Sequence, residues 1–144
     1  MDLTLPISDV VALLPQRPPF VMVDSLLYAD VESSNCTLTI LADNIFVEEG
    51  KFNEAGLLEH IAQTAAAGAG YNAAVNNRAV TVGYIGAVKN FEIIDFPKVG
   101  DRLVTEVKVA SRVFDVLVIT GIVKCNGAQI ASCEMRVFTQ NSAV

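Results

Sequence analysis

The sequence predicts an α+β fold in which a curved antiparallel sheet wraps one long central helix. Three observations predict it. Residues 55–75 are the one stretch long enough, and rich enough in helix formers, for an extended helix. Residues 80–139 switch to apolar–polar alternation of period two, with turn signals between the runs. The composition is 52% hydrophobic but only 7% aromatic, with no Trp, so the apolar excess lies in Ala, Val, Ile and Leu. A helix apolar over most of its circumference must be covered on nearly all sides, and one sheet has to supply the cover. At 144 residues the chain has the size of one domain, so residues 1–144 read as a single unit.

The elements follow in order. Ile7–Leu14 reads as a short helix that Ser8 can cap and Pro15 stops. Pro15-Gln16-Arg17-Pro18-Pro19 is a rigid extended entry, because proline excludes helix and pushes the residue before it toward β geometry. Phe20–Tyr28 and Asn35–Leu41 read as strands, the second with Cys36, Leu38 and Ile40 on one face. Asn53 is a good N-cap, Glu54 suits the helix dipole, and Ala55–Val75 would make about 31 Å of helix. Its Gly68 and Gly70 permit close packing. Val80–Val88, Phe91–Ile94, Arg102–Arg112, Val116–Lys124 and Gln129–Thr139 read as strands. Asn126-Gly127 is a strong two-residue hairpin signal between the last two. Gly83 and Gly86 leave room for a close ligand, or mark a bulge.

Charge and cysteine usage narrow the function classes. Residues 1–60 hold ten acids and two bases, and residues 61–144 hold six acids and eight bases, giving the net −6. A net acidic chain without a basic stripe argues against nucleic acid as a partner. No run reaches the length of a membrane span: the nearest, Ile61–Val75, is interrupted by Gln63, Thr64 and Asn72. The first residues carry two acids and no basic region, unlike a secretory signal. Cys36, Cys125 and Cys133 make an odd count without metal-ligand spacing. A hairpin at Asn126-Gly127 sets Cys125 against Ala128 and Cys133 near Thr120, which disfavours a disulfide. Reduced thiols and a cytoplasmic address are expected.

Candidate chemistry concentrates in the helix. Glu59 and Gln63 are four apart on one face, beside Ala55, Ala66 and Gly70. A carboxyl on so apolar a face is neutralised, paired or turned to a cavity, where it suits acid–base work; otherwise it reaches the helix's solvent edge or pairs across an interface. His60, the single histidine, lies about 100° around the helix with Thr64, Ala67 and Tyr71, so it reads as a packed, hydrogen-bonded side chain. One histidine and scattered cysteines make no metal site, and no phosphate loop, dinucleotide fingerprint or nucleophile elbow is present.

Several motifs carry a family resemblance. Leu13-Leu14-Pro15-Gln16-Arg17-Pro18-Pro19-Phe20-Val21-Met22-Val23-Asp24 resembles the LLPHRxPFLLVD opening of β-hydroxyacyl-acyl carrier protein dehydratases. Glu59-His60-Ile61-Ala62-Gln63 is similar to their E-A-x-A-Q helix motif. Gly86–Phe91 and Val99-Gly100-Asp101 resemble the GIDKARF and PGD elements that follow. The match runs from about residue 8 to 139 and resembles most the divergent branch related to aryl-polyene cluster dehydratases. It implies the hotdog fold and dehydration of 3-hydroxyacyl thioesters in fatty acid or polyene metabolism, without a cofactor or metal. It implies catalysis by Glu59, oriented by Gln63, with the Gly56 N–H polarising the thioester carbonyl. It also implies a homodimer or hotdog heterodimer with an acyl tunnel at the seam, acting on substrates borne by acyl carrier protein or coenzyme A. Lys89, Arg78 and Arg102 are the expected carrier contacts. Two departures stand out: Lys51 occupies the place of the family's catalytic histidine, and Gln16 that of the histidine in the opening motif. Two alternatives therefore remain, an acyl thioesterase on the same fold and a non-catalytic acyl-binding or heterodimer partner.

Overall fold

Asn53 starts the helix that organises the fold. Its side chain accepts the Gly56 N–H at 2.9 Å, and Glu54 lies in the first turn, where the dipole favours an acid. The helix α1 runs Glu54–Val75. It ends in a Schellman pair: Arg78 N–H donates to Ala73 O at 2.8 Å and Asn77 N–H to Ala74 O at 3.2 Å, with Asn77 at φ 52°. The computed structural model describes residues 1–79 and 83–139.

The strands are β1 (Ser25–Ala29), β2 (Ser33–Thr39), β3 (Val47–Glu48), β4 (Lys51–Phe52), β5 (Gly83–Ile93), β6 (Arg102–Val113), β7 (Val116–Cys125) and β8 (Ala128–Thr139). Six of them form one antiparallel sheet in the order β1-β2-β6-β7-β8-β5, while β3 and β4 form a separate hairpin before α1. The turn at Asn126-Gly127 has both residues at positive φ, 53° and 78°, the twist that a two-residue hairpin needs.

The main contacts of α1 are with β1, β2, β6, β7 and a 3-10 turn at Val10–Leu13. Leu57 and Ile61 are fully buried against Leu103, Val107, Ile119 and Val123 of the sheet. On the other flank Ala67 joins Ile7, Val10, Leu13, Leu26 and Cys36. Gly68 and Gly70 are required there: a Cβ would strike the Ser34 side chain at the first and the Leu13 backbone at the second.

Several expectations need correcting. The sheet covers only one side of α1. Ala55 and Ala69 are exposed, and Leu58, Glu59, Ala62, Ala65, Ala66 and Ala73 are only partly covered. β5 has no buried residue along its length, and its Tyr84, Ile85 and Val88 are exposed. One continuous β5 replaces two expected strands, with its ladder shifted between Lys89 and Glu92, where Asn90 takes φ 53°. Val80–Val82 of the first of them lie outside the described residues. A bulge at Val123/Lys124 places Cys133 opposite Gly121 instead of Thr120, while Cys125 does face Ala128. All three cysteines are free. Asp9 stands at the start of the Val10–Leu13 turn without a side-chain cap bond, so Ser8 does not cap it. Phe20–Asp24 joins no strand.

Candidate active site

The site is built from one face of α1 and the chain entering β1. Gln63 is fully buried, and all its hydrogen-bonding groups near that chain are engaged. Its Oε1 accepts the Met22 N–H at 2.6 Å, and its Nε2 donates to Phe20 O at 2.8 Å and to Glu59 Oε2 at 2.6 Å. The backbone partners fix the amide: a carbonyl must face the N–H, and the NH2 must face the C=O. An N–H of Gln63 is thereby aimed at Glu59. Oε2 is held as an acceptor, and Oε1 has no partner among the described residues. Glu59 thus presents one anchored oxygen and one free to give or take a proton. Phe20, whose carbonyl Gln63 also holds, is 58% exposed.

His60 is brought to the same segment from the buried side. Its Nδ1 lies 2.7 Å from Met22 O and its Nε2 2.7 Å from Thr105 Oγ1. A carbonyl only accepts, so Nδ1 carries the proton and Nε2 accepts from the threonine hydroxyl. With no exposed surface and both nitrogens occupied, His60 cannot reach a substrate. Burial lowers its pKa from 6.5 to about 4, against a smaller opposing effect of the bond to Met22. Between pH 6.5 and about 4 the unfolded imidazole binds a proton that the folded one refuses. This contribution is complete above pH 6.5 and is withdrawn as pH falls to about 4. It amounts to about 3 kcal/mol. Urea midpoints measured from pH 7 to 4 should fall more steeply for the native chain than for His60→Asn; parallel curves would contradict this.

Gly56 has a structural role that its sequence position did not reveal. Its N–H is committed to Asn53 Oδ1, so the expected polarisation of a carbonyl by Gly56 requires that cap bond to open. The Glu54 and Ala55 N–H groups in the same first turn have no acceptor among the described residues. A Cβ at Gly56 would come within 2.6 Å of the Phe52 ring and 2.8 Å of Phe46 Cβ. Gly56→Ala should therefore destabilise the fold by about 1–3 kcal/mol through overpacking, and thermal melting checks this.

The remaining expected participants lie apart. Lys51 is exposed on β4, bridged to Lys98, while its neighbour Phe52 is fully buried. The strand alternation turns the lysine outward. Gln16 is partly covered, and its buried Oε1 has no partner among the described residues. Arg102 opens β6, Arg78 follows the far end of α1 and Lys89 lies midway along β5, so the three bases form no single patch. Burial pushes the thiols of Cys36 and Cys133 up to about 12 and about 11, which removes them as nucleophiles. Gly86 marks a bulge between Ile85 and Ala87, and the Phe138 ring occupies the space a Cβ would take. No group of three or more His, Cys, Asp or Glu that could hold a metal occurs among the described residues. Sequence reasoning missed Thr105 and the anchoring of Phe20–Met22; the only signal was a lone histidine beside Glu59.

A family model described as ApeP-like, ApeP dehydratase, matches residues 8–144. No curated protein matches the chain. Among solved structures, the dehydratase heterocomplex ApeI:P from Xenorhabdus doucetiae is similar at TM-score 0.86 and 17% identity, over 96% of this chain and 93% of that one. A Streptococcus mutans protein, smu.793, bound to acetyl CoA is similar at TM-score 0.67 and 12% identity, over 89% and 96%. A hypothetical thioesterase with coenzyme A from Streptococcus pneumoniae is similar at TM-score 0.65 and 9% identity, over 81% and 84%. At these identities the structures show the fold, the hotdog.

Proposed function

This chain belongs to the ApeP-like family of dehydratases, and on that premise we propose that it removes water from 3-hydroxyacyl thioesters with Glu59 as its acid–base group. The observation that carries the assignment is the Glu59 carboxyl itself, with Oε2 held by Gln63 and Oε1 free. Elimination breaks the C2–H and C3–O bonds, forms C2=C3 and releases the hydroxyl as water. It needs one proton movement off C2 and one onto the leaving oxygen. Glu59 serves the departing hydroxyl through Oε1. The enolate-like charge on the thioester oxygen is met by N–H groups of the first turn of α1, where the dipole adds to them. Gly56 supplies one of these if its bond to Asn53 opens, and Glu54 and Ala55 supply theirs directly.

The second proton movement is assigned to a partner subunit. Within this chain His60 is locked between Met22 and Thr105, and Lys51 is turned outward. The open apolar side of α1 and the uncovered β5 support a hotdog dimer, since this much unpaired apolar surface calls for a partner. Val88 lies opposite the buried Met135, so it shares the face of the sheet on which α1 sits, and one partner can cover both surfaces. A heterodimer with a histidine-bearing hotdog subunit completes the site; a homodimer leaves two carboxyls and no second group. The substrate is taken as an acyl carrier protein thioester of fatty acid or polyene metabolism, handled in the cytoplasm. No described helix is long and apolar enough to cross a membrane.

The test is product formation from 3-hydroxyacyl thioesters of several chain lengths, with the chain alone and mixed with a dehydratase subunit that carries the family histidine. Enoyl thioester formed in the mixture beyond what that subunit forms by itself supports the reading, and no such gain overturns it. One free carboxyl oxygen also suits activation of a single water, the chemistry of a thioesterase. Release of free thiol, with no enoyl product, would establish that second reading instead.

A further inference from the structure

Residues Phe20–Val23 lie in no strand, so their backbone groups need partners from elsewhere. Three of them find side chains of α1. Phe20 O and Met22 N–H are taken by Gln63, and Met22 O by His60. The helix substitutes two side chains for the missing neighbouring strand. Downstream, Asp24 is tied to β2 through Thr37 O and the Thr39 N–H, both at 2.7 Å; between Phe20 and Met22 the bond from His60 is the one that holds the Met22 carbonyl. His60 is itself fixed from β6 by the Thr105 hydroxyl. Every donor in the path points the same way: Thr105 to His60, His60 to Met22 O, Met22 N–H to Gln63, and Gln63 to Glu59.

We infer that His60 is a positioning residue for Glu59: pinned between Thr105 and the Met22 carbonyl, it sets the Phe20–Met22 segment from which Gln63 takes its orientation. The inference rests on the assignment of Glu59 as the acid–base group. It also explains why a buried site that an apolar side chain could fill holds the chain's single histidine. Without it Met22 O has no donor among the described residues, the segment shifts, and the Gln63 amide loses the geometry that holds Glu59 Oε2.

The experiment compares His60→Asn with His60→Gln. Asparagine sets an amide N–H near the place of Nδ1, within reach of Met22 O; glutamine sets it near the place of Nε2 instead. In folded protein, His60→Gln should lower kcat for dehydration by about 10- to 100-fold, as a small misplacement of a catalytic group does, with KM within about twofold. His60→Asn should recover most of kcat. In 15N spectra the Gln63 side-chain amide resonances should move toward those of a free amide in His60→Gln and stay in place in His60→Asn. An unchanged kcat, or unmoved Gln63 resonances, in folded His60→Gln overturns the inference. If His60→Gln does not fold, Thr105→Val is judged on the same two readouts. If the native protein dehydrates no thioester, the dehydratase reading has failed, and the Gln63 resonances alone decide the role of His60.

Discussion

Replacement of Glu59 by Gln is expected to lower kcat for dehydration by about 10²- to 10⁴-fold, the range that a positioned acid–base group supplies. Glutamine is nearly isosteric and keeps a carbonyl that can accept from Gln63 Nε2, so the local geometry survives while proton exchange is lost. Glu59 lies at the edge of the uncovered side of α1, where no buried charge pair depends on it. The melting temperature should change little and KM should stay close to that of the native enzyme, because substrate contacts are retained. Steady-state formation of enoyl thioester, measured beside thermal melting, checks both halves. Full activity in Glu59→Gln would remove the carboxyl from the mechanism.

Gln63→Leu combines the largest stability loss with a loss of activity. Leucine fills the space but leaves the Met22 N–H and Phe20 O without the donor and acceptor that Gln63 provides. Each orphaned buried group costs about 1–3 kcal/mol, so the urea midpoint should report a loss of about 2–5 kcal/mol. Glu59 Oε2 also loses its anchor, so kcat should fall even where the protein remains folded. A variant with full stability and full activity would mean that the clamp on Phe20–Met22 is ornamental.

The parts of this fold that were legible in the sequence are those fixed by near neighbours. Asn53 caps α1 through a bond three residues away, and Asn126-Gly127 needs only its own positive φ values. The facing of Glu59 and Gln63 follows from helical spacing and is met by a bond of 2.6 Å. What the sequence concealed depends on distant partners. Phe20–Val23 has the apolar residues of a strand, yet Phe20 O and both Met22 backbone groups bond to side chains about forty positions later, which no local pattern records. The register of Cys133 was displaced by one bulge, because a hairpin count assumes an uninterrupted ladder. The chemistry of Gly56 was read from its place in a motif, whereas its lack of a Cβ answers to Phe52 and Phe46. The all-round apolar character of α1 was real, but the sheet of one chain covers half of it. The surplus of small aliphatics lies on the side that the sheet leaves open.

Direct analysis of the products of one 3-hydroxyacyl thioester by mass spectrometry tests the central claim. The chain, with a histidine-bearing partner subunit present, should convert the substrate to a species lighter by one water with its thioester intact. Glu59→Gln in the same mixture should leave the substrate unchanged. Cleaved thioester, or dehydration that proceeds equally with Glu59→Gln, would contradict the assignment of this carboxyl to the elimination.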